Sequence, residues 1–234
     1  NTIGQYNVGI GAGALENNTT ASNNTAVGYT ALDANTTGYS NVAVGTNALG
    51  ANTTAYNNVA VGMNAADAIT TGYSNTAIGY NAMGAMTTGG DNVAIGDGCF
   101  ATANSASATQ CTFIGRGCAG AAVANTGNTA MGYNAYSSGT GGINNTSIGR
   151  QAGDVITTGG NNLSIGYLAD PSGATASNEV TLGNSSISSI RCQVQTISSL
   201  SDARDKQNIE ELPLGVEFIN TLRPVKFDWA MRDG

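Results

Sequence analysis

The run SLSDARDK, residues 199–206, sets Ser201, Asp202, Arg204, Asp205 and Lys206 close together. A hydroxyl beside two carboxylates and two cations could support nucleophilic chemistry. The same residues also suit a helix start, with Ser201 as N-cap and Asp202 in the first turn. Taken alone, they leave both readings open. Elsewhere reactive groups are sparse. The chain has no His, which removes His-based triads and His metal sites. The four Cys (Cys99, Cys111, Cys118 and Cys192) lack the paired spacing of a zinc site. No metal and no cofactor is expected. Asp33, Asp67 and Asp154 recur at one repeat position. Carboxylates ~5–9.5 Å apart can hydrolyse glycosides, but a regular face offers no cleft to hold a sugar.

Charge divides the chain. Residues 1–200 carry 11 charged side chains and residues 201–234 carry 12. Both Lys and the single Trp also fall in the second segment, which places a domain boundary near residue 200. The net charge of -7 comes with no basic stripe, so a nucleic-acid partner is not expected. No apolar run approaches the ~20 residues of a membrane span, so no membrane insertion is expected. The chain opens on Asn1 rather than Met and reads as part of something longer.

Residues 1–183 are governed by a repeat. The phrase NTAVG at 24–28 returns as NVAVG at 41–45 and 58–62, NTAIG at 75–79 and NVAIG at 92–96. It continues to EVTLG at 179–183, and NVGIG at 7–11 opens the series. The closing glycines lie 17 residues apart, except for a step of 19 from Gly96 to Gly115. Before each Gly stands an aliphatic residue, such as Val44, Val61 or Ile78, and three before it almost always a Val or Thr. These two columns share one strand face. Asn stands four before the Gly in nine of the eleven copies, and Ala usually stands three after it. Thr pairs such as Thr36-Thr37 and Thr53-Thr54 recur, each followed by Gly or Ala.

One arrangement satisfies this pattern: an all-β, parallel β-solenoid of about eleven 17-residue coils. Copies stack at the ~4.8 Å strand spacing, giving a rod of roughly 50 Å. The aliphatic columns are expected to form the interior, with Asn and Thr ladders at the turns. On that reading Val61→Asp is severely destabilising and Thr46→Asp nearly neutral. Cys99 and Cys118, in the Ala column, read as small buried residues, and Cys111 in the Asn column marks an irregularity. The Asn-Thr-Thr triplets at Asn18, Asn35 and Asn52 read as turn chemistry rather than glycan acceptors. The coil is thin and rich in Ala and Gly, so several chains are expected to share a core.

The repeat resembles the YadA-like head of trimeric autotransporter adhesins. It resembles more closely the NTAVGYxAL…NTTG repeats of phage tail fibres. The resemblance implies a homotrimeric fibre presenting a polar surface to a host-cell receptor, either a glycan or a surface protein. The implied location is a virion tail fibre, with a bacterial surface adhesin as the alternative. The regular Thr array also allows an ice-binding reading. Residues 184–200 break the period. Their apolar positions Ile187, Ile190, Val194, Ile197 and Leu200 are spaced by three and four, which reads as a trimeric neck.

From Ser201 onward the chain resembles the start of the endosialidase-type intramolecular chaperone, peptidase S74. The resemblance rests on Ser201-Asp202-x-Arg204-x-Lys206, then Asn208-Ile209, an amphipathic stretch from Gly215 to Leu222, and LRPVKFDW. It implies that 201–234 is the N-terminal part of an α+β chaperone domain that assembles three chains and then cuts itself off at Leu200-Ser201. Ser201 is then the nucleophile and Lys206 the base. This is a single-turnover cut, not a turnover enzyme.

Overall fold

A three-residue strand closed by Gly cannot hold its shape alone; it becomes a strand by lying against a copy of itself. The computed structural model describes residues 3–101, 108–121 and 126–191. It contains eleven such strands: β1 (Val8–Ile10), β2 (Thr25–Val27), β3 (Val42–Val44), β4 (Val59–Val61), β5 (Thr76–Ile78), β6 (Val93–Ile95), β7 (Thr112–Ile114), β8 (Thr129–Met131), β9 (Thr146–Ile148), β10 (Leu163–Ile165) and β11 (Val180–Leu182). They form one sheet in chain order, and every pair is parallel. The register advances by one repeat, Val42 opposite Val59 and Val44 opposite Val61. Even the 19-residue step keeps it, with Val93 opposite Thr112. This is the all-β solenoid that the repeat predicts. The chain divides into two units, Asn1–Ser188 and Ser189–Gly234. Residues 192–234, including the helix expected from Gly215 to Leu222, lie outside the described residues.

The strand faces are the reverse of the expectation. Ala43, Ala60 and Ala77, the middle residues of β3, β4 and β5, have no accessible surface. Their aliphatic neighbours Val44, Val61 and Ile78 are 36–37% exposed. The interior is filled instead by the Ala column after the Gly (Ala31, Ala48, Ala65, Ala82) and by the residue following it. That next residue is Leu32, Leu49, Ala66, Met83 or Phe100 in successive coils, and all are buried. A narrow coil already holding Leu and Met side chains has room on the strand for Ala, not Val. So the columns expected as core lie on the outside. Val61→Asp therefore buries no charge within a coil. Thr46 is exposed, as expected.

The turns carry backbone strain. Leu32, Leu49, Met83 and Phe100 all have positive φ, 52–56°. Left-handed backbone costs an L-residue ~1–2 kcal/mol, and burying such a side chain returns ~1.5–3 kcal/mol. Burial thus offsets the strain, and an exposed Leu in that conformation would not. At Gly45, φ is 138° and an added Cβ would run into the carbonyl oxygen of Gly62. That clash fixes the glycine column.

The Asn column is a buried hydrogen-bond ladder. The Asn58 main-chain N–H donates to Asn41 Oδ1 at 3.0 Å, and Asn58 Nδ2 donates to Gly72 O at 2.9 Å. Asn75 repeats both bonds on Asn58 and Gly89. A second rung joins Asn35 Nδ2 to Asn18 Oδ1 at 3.0 Å. Asn18, Asn35 and Asn52 are at most 1% exposed, so turn chemistry, not glycan attachment, accounts for the triplets. Asn75→Ala leaves the Asn92 N–H and the Gly89 carbonyl without the partners they have at 3.2 and 2.9 Å. Each orphaned buried group costs ~1–3 kcal/mol. The expected outcome is a clear fall in the thermal midpoint, read by circular dichroism. An unchanged midpoint would show that the ladder contributes nothing.

Candidate functional site

Leu200, Ser201 and Lys206, the residues assigned to the cut, lie outside the described residues. What the described coils offer is surface. The outward side chains of the strands form a continuous apolar stripe. Val44, Val61, Ile78, Met131, Ile148 and Ile165 are 36–42% exposed, one per coil. Val42, Val59 and Thr76 flank them, half-buried.

Beside the stripe runs the column that follows each Gly. Over the five coils closed by Gly96 to Gly166 it reads Asp97, Arg116, Tyr133, Arg150, Tyr167. Arg116 Nε pairs with Asp97 Oδ2 at 3.4 Å. The Arg116 and Arg150 guanidinium groups lie 5.9 and 6.0 Å from the Tyr133 ring centre. Arg150 also lies 5.2 Å from the Tyr167 ring. Each exposed cation–π contact contributes ~0.5–1 kcal/mol, and the exposed ion pair less. A third column stacks Tyr39 on Tyr56 at 5.1 Å and Tyr56 on Tyr73 at 5.7 Å. Sequence reasoning missed the Arg/Tyr column, although its alternation at 17-residue spacing is plain once the copies are aligned.

The Thr pairs are only half available to solvent partners. Thr36 and Thr53 donate their hydroxyls to Thr53 O and Thr70 O at 3.0 and 3.1 Å. The second Thr of each pair, such as Thr37 or Thr54, is exposed.

The carboxylates do not assemble a hydrolytic pair. Asp33 and Asp67 are separated by the coil bearing Gly50 at the same position. A surface cavity of about 730 Å³ lies elsewhere, between Tyr167, Asp170, Thr181 and Asn184–Ser186. Among the described residues no group of three or more His, Cys, Asp or Glu could hold a metal ion. Among the described residues there is also no helix long and apolar enough to cross a membrane.

Asp67 accepts a hydrogen bond from Asn47 Nδ2 at 3.3 Å, while its Oδ1 is buried without a partner. Burial pushes its carboxyl above the usual carboxylate range. A carboxyl raised in the folded state stabilises below its unfolded pKa, and that contribution is lost as pH rises through the folded value. Asp67→Asn is therefore expected to melt at or above the parent at pH 7 and to lose its advantage near pH 3. Thermal melts at the two pH values check this; an advantage that grows on acidification would contradict it.

Cys99 and Cys118 are fully buried in the Ala column, as expected. Cys111 stands in the Asn ladder. Its N–H donates to Asn92 Oδ1 at 3.0 Å, as an Asn would, but its thiol donates to Thr109 O at 3.4 Å. Burial pushes this thiol up as well. With no carboxamide at this rung, the amide-to-amide chain stops here and resumes at Asn128, whose Oδ1 accepts the Asn145 N–H at 2.7 Å.

One segment of the chain matches a known family. Residues 201–234 match the family model described as chaperone of endosialidase, Peptidase_S74. Neither a curated protein nor a solved structure matches the chain. The S74 segment begins at Ser201, where the charge density changes, and it contains the SDARDK run. The helix-start reading of that run thus competes with a specific family resemblance in the same residues.

Proposed function

We propose that this chain is part of a homotrimeric fibre, of the phage tail fibre kind, whose solenoid shaft meets a host-cell receptor. Its S74 segment assembles three chains and then detaches itself. The observation that carries this reading is the apolar stripe followed in the same chain by an S74 match. A single coil stack would leave the stripe in water along its whole length. Large contiguous apolar patches mark interaction surfaces, and two further copies would cover this one. A chaperone in the same chain supplies the three copies together. The exposed tyrosines, arginines and threonines then remain as the receptor-facing surface.

In the cut, Lys206 takes the hydroxyl proton of Ser201. The Ser201 oxygen bonds to the Leu200 carbonyl carbon, the peptide C–N bond breaks, and the proton passes to the new Ser201 amine. Water then hydrolyses the ester, leaving Leu200 with a free carboxylate. A Lys can serve as this base where burial lowers its pKa. The test is to express the chain with a complete S74 domain and analyse the product by mass and sedimentation. Three chains, each ending at Leu200, are expected. A stable folded monomer of residues 1–200 would overturn the trimer, and an intact seam would overturn the cut.

A further inference from the structure

We propose that Cys99 and Cys118 close an intrachain disulfide that staples the one irregular coil of the solenoid. Three independent features meet there. The step from Gly96 to Gly115 is 19 residues instead of 17. The Asn ladder loses its carboxamide at Cys111 within the same step. The small interior is replaced by aromatics, with Phe100 and Phe113 5.1 Å apart edge-to-face and Phe113 stacked on Tyr136 at 6.4 Å. In the column three after the Gly, every other coil from Ala14 to Ala169 has Ala. Its two Cys fall on adjacent coils, at the two ends of the long step.

The pair is stacked in register. Phe100 N–H donates to Cys118 O at 2.9 Å, and one coil earlier Met83 N–H donates to Cys99 O at 3.0 Å. Neighbouring stacked positions lie ~4.8 Å apart, within the ~4.4–6.8 Å between Cα atoms that a disulfide spans. Both are free thiols in the structure, and they donate to Phe113 O at 3.3 Å and Ala130 O at 3.4 Å. Neither Cys has accessible surface, and the Cys99 thiol together with burial pushes Cys118 far up. Thiolate is therefore scarce in the closed coil, and oxidation belongs to folding, before the coils close.

The step needs an oxidant, a small disulfide of the oxidised-glutathione class. One Cys attacks it as thiolate, forms a mixed disulfide and releases one small thiol. The second Cys then displaces the other. In all, two thiols lose two protons and two electrons, one S–S bond forms and the oxidant leaves as two thiols.

The test is to refold the full chain from denaturant in a glutathione redox buffer, alkylate it, and map peptides without reduction. A Cys99–Cys118 linked peptide is expected. Adding reductant should lower the thermal midpoint of this material but not that of Cys99→Ala, which carries the column's usual residue and so should fold. No linked peptide would overturn the proposal. So would a dominant linkage through Cys111 or Cys192, or a linkage whose reduction leaves the midpoint unchanged.

Discussion

Ala60→Asp is expected to abolish cooperative folding of the solenoid, while Val61→Asp, one residue away, leaves each coil stack folded and disperses the proposed trimer. Ala60 has no accessible surface and lies opposite Ala43 and Ala77 in the strands on either side. A carboxylate there meets only apolar neighbours, and the change combines overpacking with an unpaired buried charge. Such changes belong to the largest destabilisations known for single substitutions, about 4 kcal/mol or more. Val61 is 36% exposed, so an Asp at that position keeps its water as long as the chain stays alone. What it disturbs is the apolar stripe. Circular dichroism and sedimentation separate the two outcomes. Loss of the folded signal in both variants would show that the stripe belongs to the coil's own core. A trimeric Val61→Asp would remove the stripe from the assembly surface.

The second large effect concerns the seam. With the S74 domain completed, Ser201→Ala and Lys206→Ala should each give one uncut product where the parent gives two. The first substitution removes the proposed nucleophile and the second the proposed base, so either alone is sufficient. Both variants should still form trimers, because assembly uses the packing of the domain and not its reactive pair. Asp205→Ala lies in the same charged run but outside the Ser201-Asp202-x-Arg204-x-Lys206 positions; it should be cut as the parent is. Gel mobility and intact mass report all four chains. Normal processing of Lys206→Ala would return Ser201-Asp202 to a capped helix start.

The period, the parallel stacking and the buried Asn rungs were legible because stacking rewards identity: Asn41, Asn58 and Asn75 must each offer the next coil the same oxygen. The direction of the strand faces was not. In Val42-Ala43-Val44 the alternation fits either parity, and the larger residues are the usual choice for the interior. What reverses the choice is coil diameter. The deciding clue was the column that holds Leu15, Leu32, Leu49, Met83, Phe100 and Tyr136 among the smaller Ala66, Ala119 and Gly153, bulky side chains that already fill most of a thin coil. It went unread because these residues sit in turns, where positive φ normally selects Gly or Asn. The proposed pair Ser201 and Lys206 rests on family resemblance alone, since a Ser and a Lys five apart also describe an ordinary helix start.

Near-identical coils also create a problem of bookkeeping for the folding chain. A segment that stacked one coil out of place, Val42 against Thr76 rather than Val59, would still set Ala on Ala and Asn on Asn. Translation by 17 residues is almost a symmetry of the molecule, so slipped stacks lie close to the native one in energy. The coil between Gly96 and Gly115 breaks that symmetry. It is two residues longer than its neighbours, and Phe100 and Phe113 meet there at 5.1 Å where other coils place Leu and Ala. A slipped stack carries this coil out of phase and separates the two rings. The irregular coil thereby works as a fiducial mark, giving otherwise interchangeable rungs an address.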